Sequence, residues 1–246
     1  MSIVINDLVA GYIPDVNIVD GVSVAVKEAT MTTIIGPNGS GKSTLLKAVV
    51  GLLPLRAGHI TIDGTRCENI PVDRRITRHG VGYVPQSQNV FGSISIENNL
   101  WAGGHAMRRR ERIDRANELL DLYPALGSRR HARADTLSGG ERQLLAVCRA
   151  LMPSPRTLLL DEPSAGLSPR KVQELFEIIA NIRDRDRISI LIVEQNAAQS
   201  LEVSDAGIVL VQGRIAIADS ARGLLANPEV ANLFLGGLVT SRNETA

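Results

Sequence analysis

Aromatic side chains are scarce. The 246 residues include one Trp, three Tyr and three Phe. A core without them must be aliphatic, and 44% apolar content is enough to build one. Leu, Ile, Val and Ala in short runs suit parallel strands covered by helices. Cysteine is nearly absent too. Cys67 and Cys148 lie far apart, which excludes a disulfide framework and fits a cytosolic setting. Neither sign of charge dominates: 27 basic against 26 acidic residues leave +1, so no nucleic-acid footprint is expected. No apolar run approaches the ~18 residues that span a bilayer. The opening "MSIVINDLVAGY" has no basic segment followed by a long apolar stretch, so no signal peptide is expected. If the protein works at a membrane, something else anchors it. Internal repeats and low-complexity segments are also missing.

What is present is a series of short β-type runs: 3–5, 22–26, 32–35, 59–62, 81–84, 157–160 and 188–193. Residues 208–218, "IVLVQGRIAIA", read as two alternating runs around a Gln212-Gly213 turn, a hairpin. Helical spacing follows several strands. Leu45, Leu46, Val49 and Val50 predict a helix beginning at Leu45, with Gly51 as its C-terminal cap. Leu144, Val147, Cys148 and Leu151 predict a second, and Leu175, Ile178, Ile179 and Ile182 a third. Residues 88–153 contain no convincing strand and read as a helical insertion in an α/β core. Its basic run, Met107 to Arg112, reads as a solvated helix face, with a partner or lipid contact as the alternative. The final "TSRNETA" reads as a loose tail.

Three motifs carry chemistry. "GPNGSGKST" comprises Gly36, Pro37, Asn38, Gly39, Ser40, Gly41, Lys42, Ser43 and Thr44. It sits between a strand and a helix, as a phosphate-binding loop must. Glycines let backbone N–H groups curl round phosphate oxygens, and the helix N-terminus adds positive potential. Lys42 reaches the β/γ-phosphates, and Ser43 offers a hydroxyl to Mg²⁺. "TLLLDEP", residues 157–163, is a buried strand ending in two carboxylates. Asp161 is placed to hold Mg²⁺, and Glu162 to deprotonate an attacking water. "LSGGERQ", residues 137–143, contains a capping box, Ser138 with Glu141. A cap does not need Gly139 and Gly140. Two glycines at a helix start expose N–H groups to an anion, and a second anion site makes sense if it faces another subunit's nucleotide. Finally, "ILIVEQN" runs a buried strand into Glu194, Gln195 and Asn196, at the end where open parallel sheets bind ligands.

These motifs, "YVPQ" at 83–86 and "LLLDEPSAGLSP", in that order, resemble the ATP-binding subunits of ABC transporters. The resemblance covers nearly the whole chain. It implies a P-loop NTPase (RecA-like) core with an N-terminal antiparallel β subdomain and an inserted α-helical subdomain. The implied divisions are 1–87 and 154–246 for the core and 88–153 for the insertion. It implies a head-to-tail dimer with two ATPs, each between one subunit's phosphate loop and the other's Ser138, Gly139 and Gly140. Tyr12 then stacks on adenine. Gln86 senses Mg²⁺ and the lytic water, and the segment after it, with Val90, Phe91 and Ile94, docks on a membrane subunit or packs inside. Gln195 stands where the family usually has a switch His, and Ser168 where many members have Asp. "LIVEQNAAQSLEVSD", "PSAGLSP" and "LLANPEVANLFLGG" look most like the second ATP-binding subunit of branched-chain amino acid importers. The expected partners are a homologous ATP-binding subunit or a second copy, integral membrane permease subunits and, indirectly, a periplasmic or extracellular solute-binding protein. The expected location is the cytoplasmic membrane face, peripherally bound. Export of a lipid or polysaccharide is the alternative that sequence separates poorly. A non-transport ABC ATPase would carry tandem modules or a coiled-coil insertion, for which the stretch from Lys42 to Asp161 leaves no room. A non-enzymatic regulator would not need Glu162.

Overall fold

The chain opens with two eight-residue antiparallel strands, β1 (Ile3–Ala10) and β2 (Val19–Val26). The computed structural model describes residues 2–87 and 89–230. Next come β3 (Met31–Ile35), α1 (Lys42–Val50), β4 (Ala57–Ile62), β5 (Thr65–Arg66), α2 (Val72–Arg78) and β6 (Val81–Val84). A helical stretch follows: α3 (Ile96–Gly103), α4 (Arg109–Leu122), α5 (Pro124–Gly127), a 3₁₀ turn at Ala134–Thr136 and α6 (Gly139–Leu151). The chain then alternates through β7 (Thr157–Asp161), α7 (Pro169–Asp186), β8 (Ser189–Glu194), α8 (Ala197–Glu202), β9 (Ala206–Val211), β10 (Arg214–Ser220) and α9 (Ala221–Ala226). The tail "TSRNETA", and the ending of "LLANPEVANLFLGG" beyond Val230, lie outside the described residues.

Two sheets result. One is antiparallel, in the order β2-β1-β4-β5. The other has the order β10-β9-β3-β8-β7-β6, parallel except for the β9–β10 hairpin. Every residue of β3, β7 and β8 is buried, as strands covered on both faces require. One core cluster lies between the sheets and α1, with Ile3, Leu8, Leu45, Val49 and Ile60. A second joins the parallel sheet to α6, α7 and the helical stretch through Leu100, Leu120, Leu145, Leu160, Phe176 and Ile190. The insertion therefore shares its core with the sheet it interrupts. Both cysteines are free and buried.

Several expectations shift in detail. The first helix begins at Lys42, not Leu45, because Gly41 takes the left-handed N-cap conformation (φ 100°) and closes the first turn onto its carbonyl. Lys42, Ser43 and Thr44 are thus helical. β1 continues past its apolar start, with Asp7 at φ 47° marking an irregularity in the ladder. β8 runs one residue further, through Glu194. The hairpin turn is as expected, Gln212 and Gly213 both having positive φ. β9 differs: its central residues are all buried, rather than alternating, because it lies inside the sheet between β3 and β10. In the basic run, Arg108, Arg109 and Arg110 are exposed, while Arg112 lies 5.9 Å over the Trp101 ring.

Candidate nucleotide site

The phosphate loop leaves β3 at Gly36 and enters α1 at Lys42. A Cβ on Gly36 would sit 2.1 Å from the Leu210 carbonyl oxygen of β9, so no larger residue fits. The β9–β10 turn closes the other side, with the Gly213 N–H donating to the Ser40 carbonyl at 2.9 Å. The loop is thus held from behind. In front lies a cavity of about 300 Å³, lined by Ile18, Glu162 and the loop from Asn38 to Thr44. Ser40 Oγ is buried and has no hydrogen-bond partner among the described residues. Lys42 Nζ donates to the Gly36 and Pro37 carbonyls at 2.8 and 3.1 Å. Burial pulls its pKa down, opposed by the charges of Glu162, Glu194 and Asp161. The cation is therefore held among carboxylates and loop carbonyls.

Ser43 Oγ donates to Asp161 Oδ1 at 2.8 Å. Asp161 ends β7 and is 2% exposed. Burial raises its pKa, with Ser43 acting in the other direction. Tyr83 on β6 faces the same carboxylate, and burial first, then the Asp161 charge, push its phenol up. Among the described residues no three His, Cys, Asp or Glu side chains gather to bind a metal. The Ser43 hydroxyl and the Asp161 carboxylate are hard oxygen donors of the kind that suits Mg²⁺.

Glu162 is the centre of the arrangement. It is 8% exposed and has φ 45°, so the chain turns sharply after β7. Its N–H donates to the Val193 carbonyl at 2.9 Å. Gln86 Nε2 donates to Oε2 at 2.6 Å, and Gln195 Nε2 donates to both oxygens at 3.1 Å. Two amides from two different loops thus clasp one carboxylate beside the phosphate loop.

Other expected residues lie elsewhere. Tyr12 is past the end of β1, half exposed, with Lys47 Nζ of α1 5.7 Å from its ring centroid. Ser138, Gly139 and Gly140 do not line the cavity. Ser138 caps α6 in a complete capping box with Glu141, and Gly139 and Gly140 face Leu167 and Lys171. Phe91 is exposed, its ring under the Arg149 guanidinium, while Val90 packs on the core. Sequence reasoning did not single out Tyr83, Lys47 or Glu194 as site residues. Tyr83 opens the quoted "YVPQ", and Glu194 precedes Gln195. Both sit beside residues whose motif roles are legible. Lys47 had no signal of its own.

A fold of this order, with this loop and these carboxylates, defines an ATP-binding cassette. A profile of the ABC transporter family matches residues 19–165. The chain belongs to that family, among its ATP-hydrolysing, ATP-binding subunits. It is 41% identical over 231 residues to the high-affinity branched-chain amino acid transport ATP-binding protein BraG of Pseudomonas aeruginosa, covering 94% of this chain and 98% of that one. It is 34% identical over 222 residues to the lipopolysaccharide export system ATP-binding protein LptB of Escherichia coli, covering 89% and 91%. A crystal structure of a nucleotide-free ATP-binding cassette from an ABC transporter shares the fold, with TM-score 0.84, 24% identity and coverage of 95% and 98%.

Proposed function

We propose that this ATPase energises uptake of branched-chain amino acids through a membrane permease. The observation that supports this most is the 41% identity with BraG across nearly both chains. Among the described residues no helix is long and apolar enough to cross a membrane. The reading therefore places the chain peripherally, at the cytoplasmic face, beneath permease subunits, with a solute-binding protein acting on the other side. Its three segments are 1–87 and 154–246 for the nucleotide-binding core and 88–153 for the helical subdomain.

In this reading the loop from Gly36 to Thr44 cradles the phosphates and Tyr12 stacks on adenine. Lys42 gives up its loop carbonyls to bind β- and γ-phosphate oxygens. Ser43, Asp161 and the Gln86 carbonyl oxygen hold Mg²⁺, which when bound neutralises phosphate charge. Glu162 takes the proton of the attacking water. Gln86 and Gln195 orient that carboxylate, and Gln195 turns one N–H to the γ-phosphate. Ser138, Gly139 and Gly140 reach the nucleotide of a partner subunit, a homologous chain or a second copy. Their place outside the monomer's own cavity supports this.

The test is uptake of labelled leucine, isoleucine and valine in cells lacking the chain. Uptake should fall, return with the wild type and stay low with Glu162→Gln. Unchanged uptake would overturn the import reading. The LptB likeness favours a second reading, lipid or polysaccharide export. Under it, the same cells would keep amino-acid uptake and lose transfer of that lipid or glycan to the envelope.

A further inference from the structure

β8 ends on a side chain ill suited to its surroundings. Glu194 is 1% exposed and follows an unbroken run of buried residues. A buried carboxylate is costly unless hydrogen bonds hold it. Here they do. Oε1 accepts the Ser164 N–H at 2.8 Å. Oε2 accepts the N–H groups of Gln195 and Asn196 at 3.0 and 3.2 Å. Burial raises the pKa, and these backbone donors oppose that.

The donors belong to two loops. Ser164 follows Glu162 and Pro163, and the chain runs from there to Ser168, the N-cap of α7. Gln195 and Asn196 open the turn between β8 and α8. These three donors are main-chain groups, joined by a side-chain bond from Ser164, so the carboxylate chiefly fixes where the two loops run. An apolar residue could fill the space but would leave the N–H groups unpaired.

We propose that Glu194 is a positioning residue for ATP hydrolysis: its carboxylate ties the loop after Glu162 to the loop that carries Gln195. The Glu162–Gln195 clasp then moves as a unit. A displacement of residues 164–168 reaches Gln195 through the two oxygens of Glu194. This rests on reading Glu162 as the base and Gln195 as its partner.

Glu194→Gln tests it in the full chain, assayed with the subunits that co-purify. The amide keeps the size and one acceptor but sets an NH₂ group against a backbone N–H, so one tie breaks. The expected result is a kcat about 2- to 12-fold lower, no larger than the loss from removing the Gln195 amide that Glu194 positions. Affinity for a non-hydrolysable ATP analogue should stay within about twofold, a split between kcat and binding that general unfolding would not give. In a Gln195→Ala background, Glu194→Gln should add less than about twofold, since both act through one clasp. A wild-type kcat, or losses that multiply in the double variant, would overturn the proposal. If Glu194→Gln does not fold, Glu194→Asp replaces it. That side chain keeps the charge but is too short to span both loops, so the same kcat loss is expected, and a wild-type kcat overturns the idea. Glu162→Gln and Gln195→Ala, run alongside, separate the two levels. If both hydrolyse ATP normally, the underlying reading fails. If both are impaired and Glu194 variants are not, only the positioning role fails.

Discussion

At the scale of single residues, the proposed site divides into groups read as holding phosphate and groups read as acting on water. Lys42→Ala should abolish ATP binding, because it removes the cation that three nearby carboxylates help to keep charged. Fluorescent-nucleotide titration of the monomer would reveal it, and retained affinity would remove Lys42 from the phosphate site. Glu162→Gln should bind ATP normally but lose at least about 100-fold in turnover, the lower range for a missing general base. Steady-state hydrolysis near the wild-type rate would sink that role. Gln195 is a neutral amide where a histidine is usual in the family. A neutral hydrogen bond is worth ~0.5–1.5 kcal/mol, so Gln195→Ala should slow hydrolysis by about 2- to 12-fold at little cost to affinity. Gln195→His should keep or raise the rate. Its advantage over wild type should shrink as pH rises through about 6.5, where an imidazolium loses its charge. A flat ratio of the two pH profiles would mean that position 195 does not face the γ-phosphate.

Among elements, α1 is the most constrained. Its N-terminus carries the phosphate loop, and its C-terminus ends on Gly51 at φ 92°. Arg75 of α2, 2% exposed, donates from Nη1 to the Val49 carbonyl at 2.6 Å and from Nε to Ile70 at 2.8 Å, and Nη2 reaches the Cys67 carbonyl. A buried cation thus caps the carbonyl end of the helix, where the dipole favours it. Arg75→Met should leave these acceptors unpaired and cost about 3 kcal/mol. In a chain of this size that lowers Tm by about 6–12 °C. A melt within about 2 °C of wild type would show that water replaces the guanidinium. Nothing in the sequence announced Arg75. Gly51 was legible because a helix that must stop favours glycine, but the cation that packs on it lies a helix away. The same contrast runs through the fold. Strand 81–84 is legible in full because Gly80 and Pro85 bracket it. Only the start of β1 is legible, because Asn6 and Asp7 break its apolar run while its backbone pairing continues. Periodicity places the start of α1 late because Lys42, Ser43 and Thr44 are polar and it counts apolar residues. Motifs point to the residues proposed to meet the phosphates. They do not disclose Glu194, whose meaning comes from an N–H that lies 30 positions away in the chain.

At the scale of the whole molecule, Ser138 is proposed to serve the nucleotide of a partner subunit. Ser138→Arg should leave monomer ATP affinity unchanged while preventing ATP-dependent dimers, checked by titration and by size-exclusion chromatography with Glu162→Gln as background. Equal loss of monomer affinity would mean that Ser138 serves its own nucleotide. A different consequence follows from the sheet order. β3, which leads into the phosphate loop, lies between β8 and β9, pairing Met31 with Ile190 and Thr32 with Ala206. The wall behind the loop is Leu210 and Gly213. During translation, a ribosome that has released the first half of the chain has made the whole phosphate loop but none of its supports. Such long-range pairing comes late in folding. Nascent chains stalled before about residue 214 should therefore be blind to ATP, as should fragments from premature stop codons upstream of it. The cell then gains a nucleotide-competent chain only when synthesis is nearly finished, and broken transcripts yield no fragment that draws on ATP.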